Sequence, residues 1–163
     1  MSSLVIGLCG KKGCGKTFVA EYLRDNREAT ILRFADTLKN MMRVMGFSEG
    51  QINGSLKEVA CDMLNGKTPR YAMQTLGTEW GRNLLHENIW VDMCLGKAQR
   101  TEGLVVIDDV RFPNEIDAIR EQGGIVVWLE RVSIYEEGDA HSSETSITAD
   151  MCDVFVDNTR AIE

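Results

Sequence analysis

Eight consecutive residues limit what this chain can fold into more than any others. Gly10-Lys11-Lys12-Gly13-Cys14-Gly15-Lys16-Thr17 matches the spacing G-x-x-x-x-G-K-[ST] at every specified position. The stretch before it, Leu4 to Leu8, is a short apolar run of strand type. In the stretch after it, Phe18, Val19, Tyr22 and Leu23 recur at helical spacing, predicting one apolar face on a first helix. A strand, a glycine-rich turn and a helix in that order let successive backbone N–H groups point at phosphate oxygens, with the positive end of the helix dipole behind them. Gly10, Gly13, Cys14, Gly15, Lys16 and Thr17 are therefore the candidate residues around a nucleoside triphosphate. Lys16 supplies a mobile charge for the β- and γ-phosphates, and the Thr17 hydroxyl a ligand for Mg²⁺. Cys14 occupies a variable position of the pattern and enters only through its place in the loop.

Further apolar runs at Thr30 to Phe34, Leu104 to Ile107, Ile125 to Leu129 and Val154 to Val156 show almost no polar alternation. Such strands suit a parallel sheet buried on both faces, hence an α/β fold. The run at Leu104 to Ile107 ends in Asp108-Asp109. Carboxylates at the carboxyl end of a buried strand lie where open α/β sheets bind ligands, and can orient Mg²⁺ directly or through water. A length of 163 residues, with no repeat and no linker, predicts a single domain over residues 1–163.

Composition narrows the ligand. Asp plus Glu outnumber Lys plus Arg by 25 to 18, a net charge of −7, which disfavours polymeric nucleic acid but not a small anion held in a local positive pocket. No apolar run reaches the ~18 to 20 residues of a membrane span, and no basic leader precedes the first strand. Five cysteines without a CxxC pair fit neither a zinc site nor a disulfide framework, so a reducing cytoplasm is the expected compartment.

From Asp36 to Arg100 the sequence reads as mainly helical, with breaks at Gly46 to Gly54, Gly66 to Pro69 and around His86. Thr68 is the expected N-cap of a helix opened by Pro69, carrying Met73, Leu76 and Trp80 on one face. Pro113 similarly opens a helix closed by Gly123-Gly124, with Asn114 and Glu115 either capping it or meeting substrate. Arg70, Arg82, Arg111 and Arg131 are placed in or beside segments bordering the carboxyl edge of the sheet. Their planar forks suit a second phosphate site, and two phosphate sites imply phosphoryl transfer.

The segments FADTLK (34–39), TPRYAMQTLGTEWGR (68–82), VVIDDVRFPNE (105–115) and HSSE (141–144) resemble the bacteriophage deoxynucleoside monophosphate kinase family, a resemblance that covers nearly the whole chain. It implies a three-layer P-loop nucleoside monophosphate kinase-like fold with a five-stranded parallel sheet of order 2-3-1-4-5. ATP would be the donor and a deoxynucleoside 5′-monophosphate the acceptor, in the cytoplasm of a bacterium or a phage-infected host. Residues 36–100 become the candidate acceptor-binding region and 131–145 a candidate lid. On this resemblance Lys16, Arg111 and Arg131 are the candidate catalytic residues, although Arg111 precedes Phe112-Pro113 where adenylate kinases place the arginine after them.

Asp36, Lys39, Arg70, Gln74, Trp80 and Arg111 are the candidate acceptor contacts. Asp36 would bind a sugar or the acceptor, or cap its helix; Trp80 would stack on a base or belong to the core. His141 and Glu144 are open as lid contacts, and a homodimer is left open. A final helix is expected after the last strand, with Asn158 and Thr159 near the donor adenine. Two other readings stay open at this point: a dephospho-coenzyme A kinase-like enzyme and a non-catalytic nucleotide-binding regulator.

Overall fold

The computed structural model describes residues 3–131 and 146–159. Five parallel strands form one sheet in the order β2-β3-β1-β4-β5. They are β1 (Leu4–Cys9), β2 (Thr30–Leu32), β3 (Leu104–Ile107), β4 (Ile125–Glu130) and β5 (Val154–Asp157). This is the expected order. Central strands read as the apolar runs predict: Val5, Leu8, Val105, Val106, Ile107, Val126 and Leu129 are buried. The edge strand β5 does not, because it pairs with β4 alone and Val154, Phe155 and Val156 are all exposed.

Internal contacts group the chain into two compact units, residues 1–33 with 95–163 and residues 34–94. The first, which holds the sheet, also contains α1 (Lys16–Arg27) and α6 (Pro113–Glu121). Helix α1 turns a different face inward from the one its spacing suggests. Val19, Ala20 and Leu23 pack with Leu8, Ala29 and Val106, whereas Phe18 and Tyr22 stay exposed. At its other end, α6 is closed as expected: Gly123 takes a φ of 75° and its N–H donates to the Arg120 carbonyl, while Gly124 N–H donates to Ile119.

The second unit is helical and has its own core, in which Met42, Phe47, Ile52 and Met73 are enclosed by Leu38, Leu64 and Leu76. It contains α2 (Asp36–Val44), α3 (Glu49–Ile52), two short 3₁₀ turns (Ser55–Glu58 and Asp62–Leu64) and α4 (Pro69–Gln74); α5 (Ile89–Gln99) begins in this unit and ends in the sheet unit. The N-cap expected at Thr68 is present: its Oγ1 accepts the Tyr71 N–H at 3.1 Å, with Pro69 at the first helical position.

Beyond Gln74 the helix continues as a π-helix over Thr75–Leu85, and of the expected shared face Met73 and Leu76 stay together in the core while Trp80 leaves it. Each π turn takes in an additional residue, so side chains rotate away from the register of the preceding α-turns. Met73 remains buried, but Trp80 is 38% exposed and tilts against Trp90, the ring centroids 6.4 Å apart.

Candidate active site

The loop from Gly10 to Thr17 is built around backbone conformations that side chains resist. Gly10, Gly13 and Gly15 take φ values of 137°, 79° and 103°. A Cβ at Gly10 would also run into the Leu129 carbonyl and stand 2.8 Å from Cys14 Sγ, so the loop passes tightly over the end of β4. Gly15 is the N-cap of α1, and no side chain caps that helix. The first N–H groups of α1 therefore project from its N-terminus as donors, with the helix dipole aligned behind them.

Lys16 folds back over the loop, its Nζ donating to the Gly10 carbonyl at 2.7 Å and the Lys11 carbonyl at 3.0 Å. With Cys14 Sγ at 3.6 Å as a weaker third partner, the ammonium is held over the loop by neutral acceptors, which do not cancel its charge. Cys14 is buried, and its N–H donates to Lys11 O at 3.3 Å, closing the turn from within. Behind the loop, the Cys9 thiol lies 3.1 Å from that of Cys152, and burial pushes the Cys9 thiol far above the ordinary thiol range, with Cys152 adding to the rise. Cys9 is consequently a neutral packing group at neutral pH rather than a nucleophile.

At the carboxyl end of β3, the Asp108 side chain is only 3% exposed and is held by Arg33, which sequence reasoning had not singled out. Arg33 Nη2 donates to Oδ2 at 2.8 Å, and Nε stands 2.7 Å from Oδ1. Because that second contact is poorly aligned, the buried Oδ1 has charge compensation but no directed hydrogen bond. β2 ends at Leu32 rather than at the expected Phe34, opposite Ile107 where its ladder partner β3 also ends, and Arg33 just beyond it pairs with Asp108 just beyond β3. Asp109 is half-buried beside it.

Mg²⁺ suits this donor set, since it retains several waters and needs only one or two carboxylates besides substrate phosphates. Thr17 with Asp108 or Asp109 would hold it, these side chains supplying the hard oxygen donors that Mg²⁺ takes. Among the described residues no group of three His, Cys, Asp or Glu side chains forms a self-sufficient metal site.

The DVRFPNE turn follows. Glu115 is almost wholly buried, and one of its carboxylate oxygens accepts the N–H groups of Arg111 at 2.7 Å and Phe112 at 3.1 Å. Glu115 is thus the cap of α6, which settles its role as structural and fixes the backbone from which the exposed Arg111 side chain extends. Ser146 Oγ donates to the Arg111 carbonyl at 3.3 Å. Arg131 is exposed just past β4; the rest of the expected lid, with His141 and Glu144, lies outside the described residues.

In the helical unit, Arg70 forms an exposed ion pair with Glu58, a partner not anticipated from sequence. Gln74 is exposed one turn further along the same helix, and Lys39 is half-buried on α2. Asp36 is the first residue of α2 rather than its N-cap, a position held by Ala35, and its carboxylate belongs to the first turn, where the helix dipole favours negative charge. Arg82 is half-buried within the π-helix. Part of the LGTEWG block proves structural: Trp90 Nε1 donates to the Gly77 carbonyl at 2.8 Å, and a Cβ at Gly81 would come within 2.5 Å of the Trp90 ring.

At the end of β5, Asn158 lies against the loop rather than in open space. Its Nδ2 donates to the Cys14 carbonyl at 2.9 Å, and its own N–H donates to Glu130 O at 2.7 Å.

Known proteins share this fold. A crystal structure of a Thermus thermophilus protein superposes with a TM-score of 0.59 at 15% identity, covering 99% of this chain and 91% of the other. The shikimate kinase of Aquifex aeolicus superposes at 0.53 with 9% identity, covering 97% and 89%. These likenesses establish a P-loop kinase fold. In sequence, the chain is 35% identical over 179 aligned residues to a relative from Acanthamoeba polyphaga mimivirus named as a deoxynucleotide monophosphate kinase, across 98% of this chain and 91% of the relative. A 55-residue stretch is 44% identical to the deoxynucleoside-5′-monophosphate kinase of Escherichia phage T5, covering 33% of this chain and 22% of that one. The family model for deoxynucleotide monophosphate kinase matches residues 51–163, which hold the TPRYAMQTLGTEWGR and DDVRFPNE blocks, and with the loop geometry and the full-length relative this settles it: the chain belongs to the deoxynucleotide monophosphate kinase family.

Proposed function

We propose that this protein transfers the γ-phosphoryl group of ATP to a deoxynucleoside 5′-monophosphate, giving ADP and the diphosphate, with both compact units serving as one kinase domain. The observation that carries the reading is the loop itself: uncapped helix N–H donors and a Lys16 ammonium held over it, in a chain of this family. A dephospho-coenzyme A kinase-like activity leaves the TPRYAMQTLGTEWGR block unexplained, and a non-catalytic regulator leaves no reason for Lys16, Thr17 and the strand-end aspartates to occur together.

The acceptor phosphate is already anionic near neutral pH, so its oxygen attacks the γ-phosphorus in line without a strong general base. What the residues supply is position and charge. The loop N–H groups and Lys16 hold the donor phosphates, and Arg111 and Arg131 neutralise charge spreading over the transferred group. Thr17 with Asp108 or Asp109 would hold Mg²⁺, which supplies charge neutralisation on the β- and γ-phosphate oxygens when bound. In the helical unit, Arg70 grips the acceptor phosphate, exchanging its Glu58 partner for it, while Asp36, Lys39, Gln74 and Trp80 surround the sugar and base.

The test is ADP release from Mg-ATP with a panel of deoxy- and ribonucleoside monophosphates and dephospho-coenzyme A, using wild type and Lys16→Ala. Turnover stimulated by deoxynucleoside monophosphates and reduced at least about a hundredfold in Lys16→Ala is the expected result. ADP release that ignores every monophosphate, or that responds only to dephospho-coenzyme A, would overturn the acceptor assignment.

A further inference from the structure

We infer that Asn158 is a positioning residue for the phosphate-binding loop, acting through the peptide between Cys14 and Gly15. Its side-chain amide donates to the Cys14 carbonyl at 2.9 Å. In a planar trans peptide the carbonyl and the following N–H point in opposite directions, so holding Cys14 C=O on the outer side of the loop aims the Gly15 N–H inward. That N–H opens the run of donors at the start of α1, where a phosphate binds.

Asn158 is itself fixed. Its N–H donates to the Glu130 carbonyl at 2.7 Å, continuing the β4–β5 ladder beyond Asp157. A rigid strand end therefore sets where the amide stands, and the amide sets the loop peptide. Gly15 fits the same construction. Its φ of 103° is left-handed, and a Cβ there would stand 2.6 Å from Asn158 Nδ2. The glycine thus permits both the turn and the close approach of the amide. The sequence placed Asn158 near the donor adenine; the hydrogen bond gives it a role toward the phosphates instead, independent of which base the donor carries.

This inference rests on the loop's being the donor site, and the experiment separates the two. Binding of Mg-ATP and of Mg-tripolyphosphate, which has no base, is measured for wild type, Asn158→Ala and Asn158→Asp, with thermal unfolding recorded alongside. Asn158→Asp preserves shape but replaces the donor with an acceptor facing the Cys14 carbonyl. Both variants should weaken ATP and tripolyphosphate by the same factor, about three- to tenfold for Ala and more for Asp. KM for ATP should rise and kcat fall while KM for the deoxynucleoside monophosphate holds.

Weakened ATP binding with unchanged tripolyphosphate binding would make Asn158 a base contact and overturn the inference. So would a lower melting temperature with unaltered affinity in the folded protein, the mark of a purely structural role. A wild-type protein that binds neither triphosphate would refute the donor site itself, a result distinct from either.

Discussion

The Arg33–Asp108 pair shows most clearly what single residues contribute and what a sequence conceals about them. A carboxylate 3% exposed is tolerable only while its charge is met, and Arg33 meets it from a side chain still 36% exposed. Replacing Arg33 with Met should therefore destabilise the fold by about 2–3 kcal/mol, somewhat less than for a wholly buried pair because water reaches this one from the Arg33 side. Adding Asp108→Asn should recover part of the loss, since the remaining partner no longer carries charge. Urea unfolding of the two single variants and the double measures the coupling; strictly additive losses would show that the pair contributes no interaction of its own. Asp108 was legible as the residue ending an apolar strand, but Arg33 was not, because its partner lies 75 residues away and only the sheet order brings them together. Asn158 was missed as a partner of the loop for the same reason, whereas Glu58 stands only 12 residues from Arg70 and meets it through the turns between them, which no residue pattern marks. The loop glycines, by contrast, were legible because their requirement is local: a left-handed φ is a property of the residue itself.

Elements were legible wherever one dominant face or a local cap decides them. Thr68-Pro69 and Gly123-Gly124 marked a helix start and a helix end through chemistry within a few residues. The strand runs were equally plain. Packing decided the rest, as when α1 buried Ala20, packed Val19 and Leu23 against the core and left Phe18 and Tyr22 outside, or when the π-helix rotated Trp80 off the Met73 face. The approach to β5 is another case, since it is tied by one residue. Asp153 accepts from Arg120 Nε at 3.0 Å, from Arg120 Nη2 at 2.8 Å and from the Val126 N–H at 2.7 Å, linking α6, β4 and the start of β5. The Arg120 hydrogen bonds hold its carboxyl below the usual carboxylate range. A depressed folded pKa stabilises fully above the unfolded value of about 3.9, and that contribution is lost as pH falls through the lower, folded value. Asp153→Asn should thus cost about 1–2 kcal/mol at pH 7 and progressively less below about pH 4. Unfolding curves at pH 7 and pH 3 test the sign; a gap that widens at pH 3 would contradict it.

For the whole molecule, the division into two units separates the candidate residues for the donor phosphates and Mg²⁺ from every candidate acceptor contact except Arg111. Gly10, Gly13, Cys14, Gly15, Lys16, Thr17, Asp108, Asp109, Arg111 and Arg131 all fall in residues 1–33 and 95–163, whereas Asp36, Lys39, Arg70, Gln74 and Trp80 all fall in residues 34–94. Length and composition carry no sign of this division, because residues 34–94 enclose a separate apolar cluster through their own short helices. The segregation predicts how each ligand alone should stabilise the protein. A ligand protects the amides whose opening breaks its site, so ATP without acceptor should slow hydrogen exchange in the loop and α1, and a deoxynucleoside monophosphate without ATP should slow it in α2, α4 and the π-helix. At a hundred times Kd each ligand contributes about 2.7 kcal/mol to the folded state, enough for roughly a hundredfold change in exchange through global unfolding. Protection by the monophosphate confined to residues 1–33 and 95–131 would remove Arg70 and its neighbours from the acceptor site, while leaving the loop's hold on ATP intact.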